Sequence, residues 1–398
     1  MRIGNREIGI NHRPYIIAEI GVNHDGDVER ALELTDAAAD ANADAIKLQF
    51  FETDRLMSKA AKLAAYQKNA GETDPIEMLR RLELTIDEMA RVVERAHSKN
   101  IHAIVTVFST ELVEVAETLP WDAYKTASPD IVNKPLLEAL MQTGKPMIVS
   151  TGASTMDEVV QAVNWLEPAR DRLAVLQCVS SYPAPESAVG GVRALRIQFD
   201  LPVGYSDHTR ENAQGFWAVI AGASVIEKHF TDDCKRAGPD HAASLHWSQL
   251  KNYCENARSG VIERDGYELV IQSPYSADGT ETVEDYGDLP DHLFDKLNCE
   301  DHGAHGASLA IETPTEKRVL DCEQDVRTVS RQSVVSAQDI PANTTITRDM
   351  LTIKRPGTGI LACNLESVIG CTTSQSIESD IPIQETDLVQ FEPLLASV

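Results

Sequence analysis

Residues 102–150, HAIVTVFSTELVEVAETLPWDAYKTASPDIVNKPLLEALMQTGKPMIVS, contain three short runs rich in β-branched and aromatic residues, separated by stretches with helical periodicity. The runs cover residues 102–107, 123–126 and 146–150. Strands that alternate with helices in this way are typical of a parallel sheet whose strands are joined by crossover helices. We therefore predict an α/β fold around this segment.

The same alternation continues on both sides of this segment and gives eight predicted strands, at residues 15–20, 45–50, 102–107, 123–126, 146–150, 173–177, 202–205 and 224–228. A doubly wound sheet usually has about six strands, whereas a (β/α)8 barrel has eight strands in about 250 residues. The sequence thus predicts a TIM barrel over residues 1–265, with a further helix at about residues 247–263.

The rest of the chain differs in composition. Residues 266–328 include 15 acidic and four basic residues and show no sustained period, which indicates an acidic, partly irregular insertion or linker. Residues 329–398 return to short strand-like runs and turns. We predict that these last residues form a small second domain.

The charge of the chain excludes several classes of function. The 398 residues include 62 acidic and 36 basic side chains, for a net charge of −26. This balance is opposite to that of a nucleic-acid-binding protein, and it disfavours anionic membrane surfaces. It favours a surface adapted to high salt, and hence a halophilic source. The seven cysteines include no CxxC pair, and we interpret the chain as cytoplasmic because no signal-peptide pattern begins it.

Polar residues follow the ends of all eight predicted strands, where TIM barrels carry their functional groups. Lys47 and Lys125 are embedded in apolar runs, and a buried ammonium group needs an anion nearby. With the hydroxyl groups of Ser128, Ser150 and Ser206, these lysines form a candidate cradle for a small phosphate or carboxylate.

His208 and His229 end the last two predicted strands, which are neighbours in a barrel. Their imidazoles could share a divalent metal, or they could be hydrogen-bonded core residues; spacing alone favours neither. A second group in the acidic segment, His292, Cys299, His302 and His305, has loose spacing, and we interpret it as chance composition.

Seven segments of the chain, namely IAEIGVNHDGD, AIKLQFF, AYKTASPDIVNKPLL, STGAS, QCVSSYPAP, VGYSDHT and EKHFTDDCKRAGPDHAASL, resemble the N-acetylneuraminate (sialic acid) synthase family over about residues 15–245. The stretch IPANTTITRDMLTIKRPGTGI resembles that family's SAF, or antifreeze-like, domain. The resemblance implies an enzyme that condenses phosphoenolpyruvate with N-acetylmannosamine or a related (di)acetamido hexose. The products would be a nine-carbon 2-keto acid and phosphate.

The resemblance also implies roles for individual residues. Phosphoenolpyruvate would be bound by Lys47, Gln49, Thr106, Lys125, Ser128, Ser150 and Ser206. A divalent metal, Mn²⁺ or else Mg²⁺ or Co²⁺, would be bound by His208 and His229. Glu19, Asp130, Tyr182 and Asp240 would lie near the sugar and its aldehyde. Arg355 would reach the barrel of the partner subunit in a domain-swapped homodimer.

Two positions depart from the family pattern. The usual STPF reads VTVF at residues 105–108, and Ser180 stands where Asn or Thr is usual, which leaves the identity of the sugar open. Glu19 is our first candidate for activating water, and Glu227 is interpreted as a structural partner of Lys228 in preference to a catalytic group. The alternatives are another phosphoenolpyruvate-dependent 3-deoxy-2-keto acid synthase and a non-catalytic carbohydrate-binding protein.

Overall fold

The computed structural model describes residues 1–259, 261–264, 267–270 and 315–393. Eight parallel strands form its centre: β1 Tyr15–Glu19, β2 Ala45–Phe50, β3 His102–Val107, β4 Ala123–Thr126, β5 Met147–Ser150, β6 Leu173–Cys178, β7 Val203–Asp207 and β8 Val225–Thr231. Strand β8 pairs with both β7 and β1, so the sheet closes into a barrel. The predicted TIM barrel is confirmed, and the strand limits agree to within three residues.

Helices surround the barrel and extend its loops. They are Val28–Asp40, Thr53–Leu56, Ala65–Asn69, Pro75–Arg80, Ile86–Ser98, Val113–Ala116, Lys134–Gln142, Met156–Trp165, Gly190–Gln198, Gln214–Ile220 and Trp247–Ser259. The predicted helix at 247–263 is too long, since residues Val261–Arg264 form a strand that pairs with Tyr267–Val270. Gly260 followed by Val261 and Ile262 explains the change, because glycine disfavours helix and β-branched residues favour strands. No helix in the described ranges is both long and apolar enough to cross a membrane.

The inside of the barrel has an apolar end and a polar end. At the N-terminal ends of the strands, an apolar cluster includes Ile17, Ile104, Ile148 and Val225. An N-terminal hairpin, Arg2–Ile3 paired with Arg6–Glu7, adds Ile3 to this cluster. Because strand residues alternate with period two, the next inward positions along these strands are polar. The C-terminal end of the barrel therefore has a polar interior above an apolar base.

Residues 51–84, which follow β2 and which we call the β2 excursion, cover one side of the polar end. Their apolar side chains form a separate cluster that includes Phe51, Leu56, Met78 and Leu79. Phe108, which follows β3, packs in the same cluster. The excursion thus supplies an apolar wall beside the polar strand ends.

The C-terminal domain packs against the β2 excursion. Its strands are Ser333–Ser336 paired with Leu351–Lys354, and Thr372–Thr373 paired with Leu388–Val389. Arg355 donates its backbone N–H to the Leu56 carbonyl at 2.8 Å and accepts the Ser58 N–H at 3.0 Å. These contacts join the domain to the mouth of its own barrel.

The end of the predicted acidic linker is structured. The described residues after the gap, 315–328, contain a 3-10 turn, Asp321–Glu323, and begin the helix Gln324–Ser330. The His and Cys group at 292–305, which we interpret from the sequence as chance composition, lies outside the described residues.

Candidate active site

The pocket at the polar end of the barrel brings together side chains from most of the strand ends. Twelve of the residues predicted from the sequence line it: Lys47, Gln49, Thr106, Lys125, Ser128, Ser150, Tyr182, Ser206, His208, His229, Asp240 and Arg355. Glu19 and Asp130 are fully buried and lie behind this lining.

Four charged side chains form the centre of the pocket. Lys47 forms an ion pair with Glu19 and lies 3.9 Å from Glu227, and its Nζ donates to Thr106 Oγ1 at 3.1 Å. Lys125 Nζ lies 3.4 Å from Glu227 Oε1. Two buried ammonium groups are thus balanced by two buried carboxylates.

The environment separates the pKa values of the two glutamates. Burial alone would raise the pKa of Glu227, but Lys125 and Lys47 outweigh it and lower this pKa to about 2. Burial raises the pKa of Glu19 to about 7, although Lys47 opposes the shift. Glu227 is therefore ionised at neutral pH, whereas Glu19 can gain or lose a proton there.

Hydroxyl groups surround this charged centre. Ser206 Oγ donates to Glu227 Oε1 at 2.8 Å, and Ser128 Oγ accepts the Gly152 N–H at 3.0 Å. Ser150 Oγ is buried and has no hydrogen-bond partner among the described residues. A buried hydroxyl without a partner in the same pocket as two ammonium groups fits the predicted anion cradle, since an anion in the pocket could satisfy such groups.

The two predicted metal ligands face the same pocket. The ring centroids of His208 and His229 lie 5.4 Å apart, and Tyr182 stacks on His208 at 4.1 Å. His208 Nδ1 lies 2.6 Å from the Val179 carbonyl oxygen, so Nε2, which lies 3.4 Å from Ser206 Oγ, is the nitrogen that can meet a ligand. His229 Nδ1 is buried without a hydrogen-bond partner in the described structure and lies 3.6 Å from Asp240 Oδ2.

These side chains fit a divalent metal that completes its shell with other ligands. In the described part of the chain, no three His, Cys, Asp or Glu side chains form a ready cage for a metal ion. Two imidazoles and a nearby carboxylate nevertheless suit Mn²⁺ or a similar ion if water or substrate supplies the remaining positions. The unpartnered nitrogen of His229 is the observation that favours this fit.

Arg355 reaches the pocket within its own chain. The Cζ atom of its guanidinium group lies 5.3 Å from the centroid of the Phe108 ring. The buried Asp130 behind the lining accepts a hydrogen bond at Oδ1 from Gln332 Nε2 at 2.9 Å. The resemblance implies delivery of this arginine by a partner subunit; the structure contains a single chain, so that exchange stays a prediction. The backbone pairing of Arg355 with the β2 excursion is the reason for its position.

The interpretation of Glu227 as the partner of Lys228 is wrong. Lys228 Nζ lies 3.0 Å from Asp207 and also contacts the Thr209 carbonyl, outside the pocket. The sequence does indicate that Glu227 faces the pocket, because Glu227 and His229 are two residues apart on one strand and must share a face.

The sequence analysis also missed Tyr66, which lies in the β2 excursion. The centroid of its ring lies 4.9 Å from that of the Tyr182 ring.

Comparisons with known proteins agree with this arrangement of barrel and terminal domain, and they indicate a sialic-acid-synthase-type enzyme. Residues 34–264 match the NeuB family and residues 331–389 match the SAF domain. The chain therefore belongs to the NeuB family, and its C-terminal domain is a SAF domain.

Individual relatives support the same conclusion. N,N'-diacetyllegionaminic acid synthase of Legionella pneumophila is 32% identical over 374 residues, which cover 92% of each chain. N-acetylneuraminate-9-phosphate synthase of mouse is 30% identical over 355 residues, which cover 88% of this chain and 85% of the mouse protein. The crystal structure of spore coat polysaccharide biosynthesis protein SpsE of Bacillus subtilis covers 98% of this chain and 99% of its own, with a TM-score of 0.75; at 24% identity it supports the fold alone.

Proposed function

We propose that this enzyme condenses phosphoenolpyruvate with N-acetylmannosamine or a related (di)acetamido hexose to give a nine-carbon 2-keto acid and phosphate. The observation that carries the proposal is the pair of buried lysines, Lys47 and Lys125, in one pocket with His208 and His229. A pocket that only bound a neutral sugar would not require two buried ammonium groups, because burying charge is costly. The relatives are named as synthases of such acids, which supports the same reaction class.

The lysines and hydroxyls would bind phosphoenolpyruvate. The ammonium groups of Lys47 and Lys125 neutralise its phosphate and carboxylate, and Ser128, Ser150 and Ser206 donate to the remaining oxygens. Glu227 holds both ammonium groups in place while the pocket is empty. The protein's net charge of −26 would otherwise repel this substrate, so the local positive charge is essential.

A divalent metal would be held by His208 and His229, with Asp240 close by. Such a metal supplies Lewis-acid polarisation of an aldehyde oxygen and orients the open-chain sugar. The test is His208→Ala, for which we expect loss of Mn²⁺ binding in a titration and an unchanged circular dichroism spectrum. Full Mn²⁺ affinity in the variant would contradict the assignment.

Bond formation then needs a proton transfer and a water molecule. Carbon C3 of phosphoenolpyruvate attacks the aldehyde carbon, the aldehyde oxygen takes a proton, and water adds at C2. The bond between C2 and the phosphate-ester oxygen then breaks, the C2 hydroxyl becomes the keto group, and its proton leaves with phosphate. Asp240 lines the pocket, and burial raises its pKa to about 6, so it can exchange a proton near neutral pH; Glu19 can do so behind Lys47.

The proposal is tested by phosphate release. The purified protein is incubated with Mn²⁺, phosphoenolpyruvate and each of N-acetylmannosamine, its 6-phosphate and diacetamido hexoses. We expect release that requires both phosphoenolpyruvate and one of the sugars. Absence of release with every 2-acetamido hexose would overturn the proposal. The homodimer and the adaptation to high salt remain predictions from the sequence.

A further inference from the structure

A carboxylate from the end of the predicted acidic linker lies between two loops of the active site. Glu323 is 1% exposed, and its Oε1 accepts the backbone N–H groups of Ala153 and Ser180, each at 2.7 Å. Its Oε2 accepts the Leu320 N–H at 2.9 Å. One side chain from the C-terminal part of the chain therefore satisfies an N–H group in each of two separate barrel loops.

Both loops adjoin or carry pocket residues. The first follows β5, which ends at Ser150, and the second follows β6 and carries Ser180 and Tyr182. The second loop also provides the Val179 carbonyl that contacts His208 Nδ1 at 2.6 Å. The position of the Ser180 backbone is thus linked to both the stacked Tyr182 and the proposed metal ligand.

A second set of contacts holds the same segment in place. Arg327 and Arg331 both donate to the Glu158 carboxylate, at 2.7–2.9 Å. Both arginines also donate to the Ala153 carbonyl, at 2.7 and 3.3 Å. The helix Gln324–Ser330 places Val326 and Ser330 in the pocket lining. The segment is therefore a wall of the site as well as a link between domains.

We propose that Glu323 is a positioning residue that fixes the loops after β5 and β6 and thereby sets the affinity for the sugar. The kinetic consequences of this inference rest on the proposed function of the pocket. Lys47 and Lys125 come from β2 and β4, which Glu323 does not contact, so the two cationic groups for phosphoenolpyruvate keep their positions. Ser128, which accepts the Gly152 N–H of the loop after β5, is affected less directly than the sugar side. Displacing Ser180, Tyr182 and His208 affects the sugar side of the pocket.

The hydrogen bonds from the Ala153 and Ser180 N–H groups depend on the length of the Glu323 side chain more than on its charge. Glu323→Asp keeps the charge but shortens the side chain by one methylene group, so the carboxylate cannot reach both amides. Glu323→Gln keeps an oxygen at the position of Oε1 for both loops and loses only the contact of Oε2 with the Leu320 N–H. We expect E323D to raise the KM for the sugar at least about tenfold and the KM for phosphoenolpyruvate by a smaller factor, and E323Q to stay closer to wild type than E323D for both.

The control is Glu316→Asp, the same change at an exposed carboxylate that pairs only with Arg318 in the described structure; it should leave both KM values unchanged. Wild-type KM values in E323D, or a larger loss in E323Q than in E323D, would overturn the inference. Amide hydrogen exchange of peptides containing Ala153 and Ser180 needs no substrate and is measured in parallel. Faster exchange in E323D supports the inference even if wild-type protein proves inactive with every sugar, and unchanged exchange contradicts it.

Discussion

The carboxylate of Glu227 lies 3.4 Å from the ammonium group of Lys125 at the centre of the barrel's polar end. The same carboxylate lies 3.9 Å from Lys47, so one buried anion serves two buried cations. An anionic substrate entering this pocket meets a charge arrangement that already exists, and it only has to compete with Glu227 for the lysines.

Glu227→Gln should destabilise the empty enzyme and make it more dependent on its substrate. Removing the carboxylate leaves two buried ammonium groups with less counter-charge, which costs about 3 kcal/mol of unfolding free energy. Phosphoenolpyruvate can replace the missing charge, so it should raise the Tm of E227Q more than that of wild type. Thermal unfolding with and without phosphoenolpyruvate measures both effects. The control is Glu29→Gln, which removes an exposed ion pair with Arg91 and should change stability little. If phosphoenolpyruvate raised the Tm of E227Q and of wild type equally, the proposed role of Glu227 would be contradicted.

Binding of phosphoenolpyruvate should be accompanied by proton uptake at Glu19. Burial places the pKa of this carboxyl at about 7, so it is partly ionised at neutral pH. A bound anion draws Lys47 away and adds negative charge, which raises this pKa further and increases protonation. Calorimetric titrations in buffers of different ionisation enthalpy should show uptake at pH 7.5 that diminishes towards pH 5.5, where Glu19 is already protonated. Glu19→Gln should remove this component, and undiminished uptake in E19Q would assign it to another group.

Arg355 serves its own barrel in this structure, and subunit mixing tests that arrangement. Arg355→Ala and Lys125→Ala should each be inactive, because both side chains line the pocket. If each chain completes its own pocket, every site in a mixture of the two variants lacks one of these residues. We therefore expect no recovered activity after the variants are unfolded and refolded together. Recovery to about a quarter of wild type would show the domain exchange that the family resemblance implies.

Much of the fold was predictable because its signals are local. The eight strands are short apolar runs that end in polar residues. The C-terminal ends of the strands in a barrel lie at one end of it, independently of the conformation of the loops. Lys47 and Lys125 could be assigned to the pocket for the same reason. Glu227 was misassigned although strand alternation contained the answer, since its neighbour Lys228 offered a simpler partner in the sequence.

The missed parts of the site depend on contacts between distant segments. Tyr66 reaches Tyr182 from the β2 excursion, and Gln332 reaches Asp130 across 202 residues of sequence. Glu323 lies in a segment whose acidic composition indicated an irregular linker. No periodicity marks such residues, because their position is determined by the packing of the SAF domain and its link against the barrel.

The most direct test of the proposed reaction is mass spectrometry of the products formed in ¹⁸O-labelled water from phosphoenolpyruvate and the panel of acetamido hexoses. If water adds at C2 and the C2–O bond breaks, the protein should yield a 2-keto acid three carbons longer than the sugar, together with phosphate that contains no ¹⁸O. Recovery of unchanged sugar with ¹⁸O-labelled phosphate would show hydrolysis at phosphorus, and it would contradict the assignment of this pocket to carbon–carbon bond formation.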